Sequence, residues 1–474
     1  MKRRKALQRL GLGLSAGLVM PQFLLSCKKD DPGPEVPFDG TVAVIGAGAA
    51  GLYAADILRA KGIKVIVLEA GSQAGGRIKS LRNQTNIPSQ SIADFPVELG
   101  AEIIFGSDSI WGNILKNLNV PTVDLGTATN QFILDKLAKS ESDWAGDADY
   151  NAVKNFVSSL PNFSGAGASM KSAAGVSERA QALLNSQTGN YYGSSSDKVG
   201  ANGIAEGIRL LKHDNKLLTM KANPMQDLLL SRFNLIVPEV QLNTPVKSIN
   251  YGGDPIIITD KSGNTIEANK VIVTVPLSIL KSGGISFSPA LPGEMTSAFG
   301  KFGMDASLRV VLDFKKNFWG ESTGFIWGGT EGPQYFSAGA GRSEFYRTLS
   351  ITINGPKAAE LSALGADLVP KLIAELDSVY ANQATLYIRR DLATNQILSI
   401  VQDWSKEEYI KGGVSYPLPN GTNADRVSIG KAINGKIFFA GEATDVIGDA
   451  GTINGALNSA ERVAEEVVKS ILGV

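Results

Sequence analysis

The sequence has one cysteine, Cys27, and one histidine, His213, among 474 residues. An intrachain disulfide is therefore excluded, and so is a zinc site built from several cysteine and histidine ligands. Catalysis by a Cys–His pair would require these two residues to meet. We therefore expect the chemistry to come from a cofactor or from carboxylate, lysine, tyrosine and serine side chains, and we predict no metal site.

Neither sign of charge is in excess, because 46 basic side chains are balanced by 46 acidic ones. A chain with balanced charges lacks the excess of basic residues that is typical of nucleic-acid-binding proteins, so we expect no nucleic-acid partner. The composition is 43% hydrophobic and 19% charged, which argues against a wholly disordered chain. The length is enough for about two to three domains with a large core.

The first 27 residues have the pattern of an export signal. A basic start over residues 1–5 precedes an apolar run from Leu10 to Leu25. This run of about sixteen residues is short for a spanning helix, which needs about 20, and typical of a secretory signal. Its end, Leu24-Leu25-Ser26-Cys27, resembles the lipobox of bacterial lipoproteins, which implies lipidation of Cys27.

The pair Arg3-Arg4 resembles a twin-arginine signal, a route that exports folded, cofactor-loaded proteins. We therefore expect an exported protein that is lipid-anchored to a bacterial membrane, at the periplasmic side or the cell surface. Residues 28–38 contain Pro32, Pro34 and Pro37, which predicts a stiff tether. The alternative is an uncleaved apolar tail with an accidental cysteine.

A dinucleotide-binding fingerprint opens the folded chain. A β-branched run, Thr41–Ile45, leads into a glycine-rich turn, and a helical stretch over 52–61, a strand over Lys64–Leu68 and Glu69 follow. This is the order of a βαβ unit that binds a dinucleotide. The turn consists of Gly46, Gly48, Ala49, Ala50 and Gly51, with Ala47 between the first two glycines.

Each glycine of the fingerprint has a physical task. Gly46 permits the tight turn, Gly48 lets the backbone approach a pyrophosphate, and Gly51 lets the helix pack close to the strand. The helix N-terminus then presents unpaired N–H groups to the phosphates. Glu69 is placed to accept hydrogen bonds from a ribose hydroxyl pair, which disfavours a cofactor with a 2′-phosphate.

The motifs that follow resemble those of the flavin-containing amine oxidase superfamily. Gly75-Gly76-Arg77 resembles its second glycine motif, and Val97-Glu-Leu-Gly100-Ala101 resembles its next flavin-contacting turn. Near the C-terminus, Gly441-Glu442-Ala-Thr444 and the helix start Gly451-Thr452-Ile453 complete the set. The resemblance extends from about residue 39 to the end, with gaps in two stretches, and implies a non-covalently bound FAD.

The resemblance also implies roles for single residues. Arg77 would pair with the pyrophosphate, Glu442 would bind the ribityl chain, and the backbone of Val246 would contact the adenine. The backbone around Ile453 would meet the pyrimidine end of the flavin, where a helix N-terminus stabilises negative charge. Cofactor contacts are also implied for Ala70, Gly75, Gly76, Gly100, Ala101, Thr452 and Trp404.

The flavin motifs are discontinuous, which predicts an α/β protein of two interleaved domains. We expect a Rossmann-like FAD-binding domain over 39–107, 236–290 and 430–474. An inserted α+β substrate-binding domain is expected over 108–235 and 291–429.

The inserted domain is predicted to be built on an antiparallel sheet. Its strands are expected over 306–314, 346–353 and 397–404, where apolar residues recur at strand spacing. Residues 163–203 are rich in serine, glycine and alanine. We predict that they form a mobile or family-variable loop over the pocket.

Arg309 is the first candidate residue for catalysis or substrate binding. Many relatives carry a lysine at this position, which holds a water near the flavin. Arginine stays charged and cannot act as a base, but it could hold a water or bind a substrate carboxylate through two parallel bonds. Arg309 faces away from Leu308, Val310 and Leu312, so its side chain points to a flavin cavity or to solvent.

Aromatic and acidic positions give further candidates. Trp404 matches a tryptophan that lies near the flavin in relatives. Val414 replaces one tyrosine of the family's aromatic cage, and Tyr416 follows it. Trp404 and Tyr416 could instead be core residues that do not contact the cofactor or the substrate. Phe105 stands where polyamine oxidases carry a polar or acidic residue. Glu102 could bind an ammonium group or form a structural ion pair. His213 is predicted to lie at the surface.

The sequence therefore predicts an FAD-dependent oxidoreductase of the amine oxidase type. The expected reaction is hydride transfer from an amine or amino-acid-like small molecule to flavin N5, with O2 as acceptor and an imine and hydrogen peroxide as products. One alternative is an FAD-dependent desaturase or oxidase of an apolar, non-amine substrate. Another is a surface lipoprotein that holds flavin structurally and binds a partner.

Overall fold

The computed structural model describes residues 35–81, 92–93, 96–342 and 347–474. The predicted export signal, the lipidation site Cys27 and most of the tether over 28–38 lie outside these residues. Export, lipid anchoring and the domain boundaries therefore stay predictions. Among the described residues, none of the helices combines the length and the apolar character that crossing a bilayer requires.

The helices of the described residues range from single turns to a 20-residue C-terminal helix. They are α1 (Ala49–Ala60), α2 (Ile110–Asn117), α3 (Glu141–Trp144), α4 (Ala148–Ser159), α5 (Met170–Ala174), α6 (Gln181–Leu184), α7 (Ala201–Leu210), α8 (Met225–Arg232), α9 (Leu277–Lys281), α10 (Gly293–Phe299), α11 (Pro356–Ala363), α12 (Leu368–Val379), α13 (Gln383–Tyr387), α14 (Asn423–Gly430) and α15 (Ile453–Leu472).

The strands are short, mostly of two to seven residues. They are β1 (Thr41–Ile45), β2 (Lys64–Leu68), β3 (Ser80–Leu81), β4 (Val97–Glu98), β5 (Ile104–Phe105), β6 (Thr122–Asp124), β7 (Thr129–Leu134), β8 (Leu137–Ser140), β9 (Leu217–Met220), β10 (Val246–Asn250), β11 (Ile256–Asp260), β12 (Thr265–Ala268), β13 (Lys270–Val273), β14 (Ser286–Ser288), β15 (Phe302–Gly303), β16 (Ser307–Asp313), β17 (Thr323–Trp327), β18 (Gln334–Ser337), β19 (Thr348–Asn354), β20 (Ser399–Asp403), β21 (Tyr416–Pro417) and β22 (Ile437–Phe439).

A four-stranded parallel sheet in the order β2-β1-β13-β22 carries the predicted dinucleotide fingerprint. Val42 and Val44 of β1 face a core that includes α1 and α15, whereas Ala43 and Ile45 face a second core. Burial on both faces explains why β1 is a continuous apolar run, as is usual for parallel strands. The expected strand–turn–helix–strand order is confirmed.

The second core joins the parallel sheet to a smaller sheet in the order β12-β11-β10-β14. Ile249, Ile256 and Ile258 of the smaller sheet pack in that core. β10 begins at Val246, after Gln241 forms a bridge with Leu68 of β2 and the chain turns at residues 242–243.

A seven-stranded sheet in the order β20-β16-β19-β18-β17-β7-β8 forms the centre of the inserted region. Its pairs are antiparallel except for β17 with β7, which are parallel. Leu308, Val310 and Leu312 of β16 face a core that includes α11 and α12. The predicted antiparallel sheet is thus confirmed, and the opposite face of β16 is left for the site.

Residues 163–203 differ from the predicted loop. They contain α5, α6 and several shorter helical turns, and Leu183, Leu184 and Val199 are buried. The small residues of this segment permit close packing rather than mobility: a Cβ at Gly189 would stand 2.1 Å from the backbone nitrogen of Ser196. The segment is a packed part of the fold that contributes Tyr191 to the cavity described below.

Candidate active site

One large cavity of about 790 Å³ joins the parallel sheet to the seven-stranded sheet. It begins outside the carboxyl ends of β1, β2 and β13, where Gly46, Glu69 and Thr274 line it. This is the usual place for a ligand in an open parallel sheet. The cavity ends against β16, β17 and β18, and its volume lies in the range of about 300–1,000 Å³ that is typical of ligand pockets.

The glycine-rich turn leaves open space in which a cofactor could contact the protein backbone. Gly46 has a φ of +108°, which is unfavourable for a residue with a side chain. A Cβ at Gly48 would meet no atom within 4 Å, and a Cβ at Gly51 would stand 1.9 Å from the carbonyl oxygen of Gly46. Gly48, Ala49 and Ala50 line the cavity at the start of α1, which has no side-chain cap. The turn therefore fits a pyrophosphate.

Glu69 stands at the end of β2 with both carboxylate oxygens fixed by the backbone. Oε2 accepts a hydrogen bond of 2.7 Å from the N–H of Ala47, and Oε1 accepts one of 2.8 Å from the N–H of Gly71. A carboxylate has about four lone-pair sites, so two remain for the ribose hydroxyls that the sequence predicts. Ala70 and Val246 line the same end of the cavity.

The second glycine motif packs directly on the first. The N–H of Gly75 donates to the carbonyl oxygen of Ala47 at 2.9 Å, and a Cβ at Gly76 would stand 3.5 Å from the Cα of Gly48. Gly75 and Gly76 have φ values of +120° and +57°, so glycine suits both positions. The two motifs are thus one continuous wall.

Arg77 and Glu442 form a buried ion pair across the middle of the cavity wall. Nη1 of Arg77 lies 2.8 Å from Oε1 of Glu442. Oε2 of Glu442 accepts bonds from the Ser415 hydroxyl at 2.7 Å and the Gly451 N–H at 3.0 Å. Burial alone would raise the pKa of Glu442, but Arg77 and these donors outweigh it and lower the pKa, so Glu442 stays ionised. Gly441 lines the cavity beside it.

Trp404 lines the cavity beside the turn at Gly100. Its Nε1 donates to the carbonyl oxygen of Leu99 at 2.9 Å. A Cβ at Gly100 would stand 1.9 Å from the carbonyl oxygen of Arg77 and 3.1 Å from the Trp404 ring, so a side chain at Gly100 would collide with both. Gly100, Ala101 and Trp404 all line the cavity, and their contact with the cofactor stays a prediction.

Arg309 and Glu102 pair in the cavity wall, which resolves the two alternatives for each residue. Nη1 of Arg309 lies 2.7 Å from Oε2 of Glu102 and 2.6 Å from the Thr352 hydroxyl, and Nη2 donates to the carbonyl oxygen of Gly100 at 2.8 Å. The Ser350 hydroxyl donates to the same Glu102 oxygen at 2.9 Å. Burial raises the pKa of Glu102 and Arg309 opposes that rise. Arg309 thus faces the cavity, and Glu102 is its structural partner.

Five aromatic side chains, here called the aromatic wall, line the end of the cavity beside this ion pair. Ring centroids lie 6.4 Å apart for Phe105 and Tyr191, 6.0 Å for Tyr191 and Trp327, and 4.9 Å for Phe325 and Phe336. These separations are typical of favourable aromatic contacts. The members are Phe105, Tyr191, Phe325, Trp327 and Phe336.

Phe105 is the one member of the aromatic wall that the sequence predicted as a site residue. Phe325, Trp327 and Phe336 belong to β17 and β18, and an apolar run of strand residues carries no signal for a cavity as opposed to a core. Tyr191 lies in the segment that had no recognisable pattern. Nothing in the sequence alone separates these residues from ordinary core aromatics.

The remaining candidates divide between the cavity and the core. Val414, Thr452 and Ile453 line the cavity, and the Thr452 hydroxyl caps α15 by accepting the N–H of Gly455 at 3.2 Å. Tyr416 is a correction, because it is absent from the lining residues and 1% exposed. Its hydroxyl donates to Oδ2 of Asp305 at 2.8 Å. Tyr416 is therefore a core residue, which was the alternative to a role in the site.

His213 is a second correction. The predicted surface residue has a side chain that is 9% exposed, with Nε2 2.9 Å from Oδ1 of Asp449. Its neighbours in sequence are polar, but the chain folds back so that the ring packs against the loop before α15. Among the described residues, no group of three or more histidine, cysteine, aspartate and glutamate side chains is placed to hold a metal ion.

Two family matches cover the regions that carry these residues. Residues 238–468 match the family of flavin containing amine oxidoreductases, and residues 44–118 match the NAD(P)-binding Rossmann-like domain. The two matches include the fingerprint, the second glycine motif, the turn around Gly100, and the C-terminal motifs around Glu442 and Ile453.

Solved amine oxidases share the fold. Putrescine oxidase bound to putrescine has a TM-score of 0.74 and 17% identity, with 90% of this chain and 99% of that chain covered. Cyclohexylamine oxidase from Brevibacterium oxydans IH-35A has a TM-score of 0.72 and 18% identity, with 91% and 99% covered.

The curated relatives are larger proteins. Lysine-specific histone demethylase 2 from Homo sapiens is 27% identical over 98% of this chain and 56% of its own length. Lysine-specific histone demethylase 1 homolog 3 from Arabidopsis thaliana is 26% identical over 92% of this chain and 30% of its own length. The chain thus spans about a third to a little over half of these relatives.

Fold and site together define an FAD-binding protein. The glycine turns, Glu69 and the cavity between the two sheets fit FAD, and the fold is that of the solved amine oxidases. The matches support its place in the flavin amine oxidase superfamily.

Two glycine variants test the cofactor assignment. Gly48→Ala adds a methyl group that meets no protein atom, so we expect normal thermal stability of the apoprotein and FAD binding weaker by about tenfold or more, ~1.4 kcal/mol. Gly51→Ala forces a collision with the Gly46 carbonyl, so we expect a loss of stability of about 1–3 kcal/mol. FAD fluorescence titration and thermal melting measure the two effects. Wild-type FAD affinity in Gly48→Ala would show that the turn does not hold the cofactor.

The Arg309–Glu102 pair makes a separate prediction. Arg309→Leu leaves Glu102 buried without its cation, which we expect to cost about 3–5 kcal/mol of stability. The double variant Arg309→Leu/Glu102→Leu removes the stranded charge and should be more stable than the single variant. Thermal melting measures both, with exposed Arg390→Leu as the matched control. Additive losses in the double variant would contradict a buried pair.

Proposed function

We propose that the protein oxidises an amine with FAD as the hydride acceptor and dioxygen as the final electron acceptor. A carbon–hydrogen bond next to the nitrogen and a nitrogen–hydrogen bond are lost, and the products are an imine and hydrogen peroxide. The observation that carries the proposal is the single cavity, which joins the FAD-binding glycine turns to the chamber formed by the aromatic wall and the Glu102–Arg309 pair.

Bound FAD supplies the hydride chemistry, and the side chains of the chamber supply the environment. The aromatic wall keeps water away from the reacting carbon and favours an uncharged amine, because an isolated ammonium group loses its hydration there. Arg309 removes no proton, since its guanidinium stays charged and its hydrogen bonds go to Glu102, Gly100 and Thr352. Its role is to hold the Gly100–Glu102 turn in place.

The comparisons support an amine over the apolar, non-amine alternative. The names of the similar proteins specify lysine, putrescine and cyclohexylamine, and each of these compounds carries an amino group. The aromatic wall by itself would also suit a non-amine substrate. The surface-lipoprotein alternative does not account for a chamber that opens directly onto the cofactor end of the cavity.

The charges of the chamber favour an amine with one nitrogen and an apolar body. Glu102 and Arg309 are paired with each other at 2.7 Å, so Glu102 is not free for a second ammonium group and Arg309 is not free for a carboxylate. A diamine or an amino acid would have to break this pair or leave its own second charge buried, and both are unfavourable. We therefore expect amino acids to be poorer substrates than simple amines.

Anaerobic reduction tests the reaction. We expect the visible absorption of bound FAD to bleach when an amine substrate is added without oxygen, because two electrons enter the flavin. Readmission of air should restore the spectrum and release one equivalent of hydrogen peroxide. A bound flavin that no amine reduces would contradict the proposed function while leaving the cofactor assignment in place.

A substrate panel tests the apolar chamber. We expect cyclohexylamine and benzylamine to have higher kcat/KM values than putrescine and L-leucine. Tyr191→Ala removes part of the aromatic wall and should lower kcat/KM for the ring amines by about tenfold or more, from the ~1.5–3 kcal/mol of a buried apolar side chain. Tyr191→Phe keeps the ring and serves as the matched control. Preference for putrescine would show that the paired charges do not set selectivity.

A further inference from the structure

The one histidine of the chain lies under the cavity wall with both ring nitrogens engaged. Nδ1 of His213 is 2.7 Å from the backbone carbonyl oxygen of Asp214, and Nε2 is 2.9 Å from Oδ1 of Asp449. A carbonyl oxygen only accepts, so Nδ1 carries a hydrogen. Nε2 then faces a carboxylate, and one proton must lie between the two groups. The pair is thus an imidazolium with a carboxylate, or a neutral ring with a carboxylic acid.

Asp449 is the anchor of the loop that leads into α15. Its Oδ2 accepts a hydrogen bond from the Asn458 amide at 3.0 Å, and its backbone carbonyl accepts one from the Thr452 hydroxyl at 2.6 Å. Gly451, Thr452 and Ile453 of this loop line the cavity. The position of Asp449 therefore determines where this part of the cavity wall stands.

His213 also supports the neighbouring wall around Phe105. The ring packs against Gly106, where a Cβ would stand 2.4 Å from Nδ1 of His213. The carbonyl oxygen of Phe105 accepts a bond of 2.8 Å from the side-chain amide of Asn454, the second residue of α15. His213 therefore lies behind two wall segments that meet at the aromatic wall, although it does not touch the cavity.

The charged groups that face His213 are acidic. Asp449 contacts the ring, Asp108 and Asp214 lie on the adjoining loops, and Asp445 faces Asp449 from the other side. Burial alone would lower the pKa of His213, but the bonds to the Asp214 carbonyl and to Asp449 outweigh it and raise the pKa above its ordinary value of 6.5. Burial and the charge of Asp449 raise the pKa of Asp445 to about 6.

We propose that His213 is a positioning residue that, as an imidazolium paired with Asp449, holds the Asp449–Ile453 loop in place and supplies a positive charge behind this part of the cofactor cavity. The inference depends on FAD binding in the cavity but not on which amine reacts. A positive charge near a flavin favours its negatively charged reduced form. The effect is present below the pKa of His213 and is lost as the pH rises through it.

The wild-type protein allows a direct test, because a chain with one histidine yields one set of ring signals. We expect ¹⁵N spectra of histidine-labelled, FAD-loaded, full-length protein without a histidine tag to show both ring nitrogens protonated at pH 6.5. The midpoint of the titration should lie above 6.5. A neutral ring at pH 6 would overturn the proposal, whatever the catalytic activity.

Two variants separate charge from packing. His213→Gln keeps a donor toward Asp449 and removes the positive charge, so the flavin midpoint potential should become more negative at a pH below the measured His213 midpoint and change little at a pH well above it. Asn458→Ala removes a neutral donor from the same carboxylate and should lack this pH dependence. Equal shifts of the potential in both variants, or a shift in His213→Gln that is the same at both pH values, would overturn the charge role.

These outcomes are independent of the proposed amine oxidation. Ring protonation and the flavin potential are measured without substrate, using a chemical reductant for the potential. If no amine were oxidised, the proposed function would fail and the His213 result would stand. If His213→Gln failed to fold, the wild-type titration would still decide the protonation state.

Discussion

The close approach of two glycine turns is the constraint on which the rest of the site depends. Gly51 allows α1 to come within contact of the Gly46 carbonyl, and Gly76 allows the second turn to rest on Gly48. A side chain at Gly51 would push the helix away from the first turn, and the φ of +57° at Gly76 disfavours a side chain in the second turn. The cavity could not then begin at the carboxyl ends of the parallel strands, which is where a helix N-terminus can meet a phosphate.

Three charged groups in and behind the cavity wall each lie beside a partner of opposite sign. Arg77 pairs with Glu442, Arg309 pairs with Glu102, and His213 pairs with Asp449. A buried charge without a partner would be strongly unfavourable, whereas a hydrogen-bonded pair is tolerated and holds two distant segments together. Each pair joins residues far apart in sequence, so the wall is assembled from segments that only the complete fold brings together.

Much of the fold could be predicted because local patterns carry it. The β-branched run of β1, the glycine turn and the acid after β2 follow one another in sequence, and the structure has them in that order. Three strands of the seven-stranded sheet, β16, β19 and β20, were expected within a few residues of their bounds, since each repeats apolar residues at strand spacing. Residues 163–203 were wrongly expected to be a loop, because short helices of small residues resemble loop composition.

The candidate site was predictable on its cofactor side and largely hidden on its substrate side. The glycines and one carboxylate indicate the cofactor, because a backbone contact with a phosphate requires glycine residues at a fixed spacing. The aromatic wall has no such requirement, and Phe325, Trp327 and Phe336 have the same sequence pattern as core residues. Tyr416 shows the reverse error, since an aromatic residue at a plausible position lies in the core.

The sequence by itself determined the class of cofactor, the parallel sheet that carries it, and the order of the glycine turns, because these depend on neighbouring residues and backbone geometry. Only the tertiary structure decided that Arg309 is held by Glu102, that the half-buried His213 lies beside Asp449, and that an aromatic wall closes the cavity. Those outcomes depend on contacts between residues about 90 to 240 positions apart. The pairing of side chains across such distances follows from how the sheets pack, which no local pattern specifies.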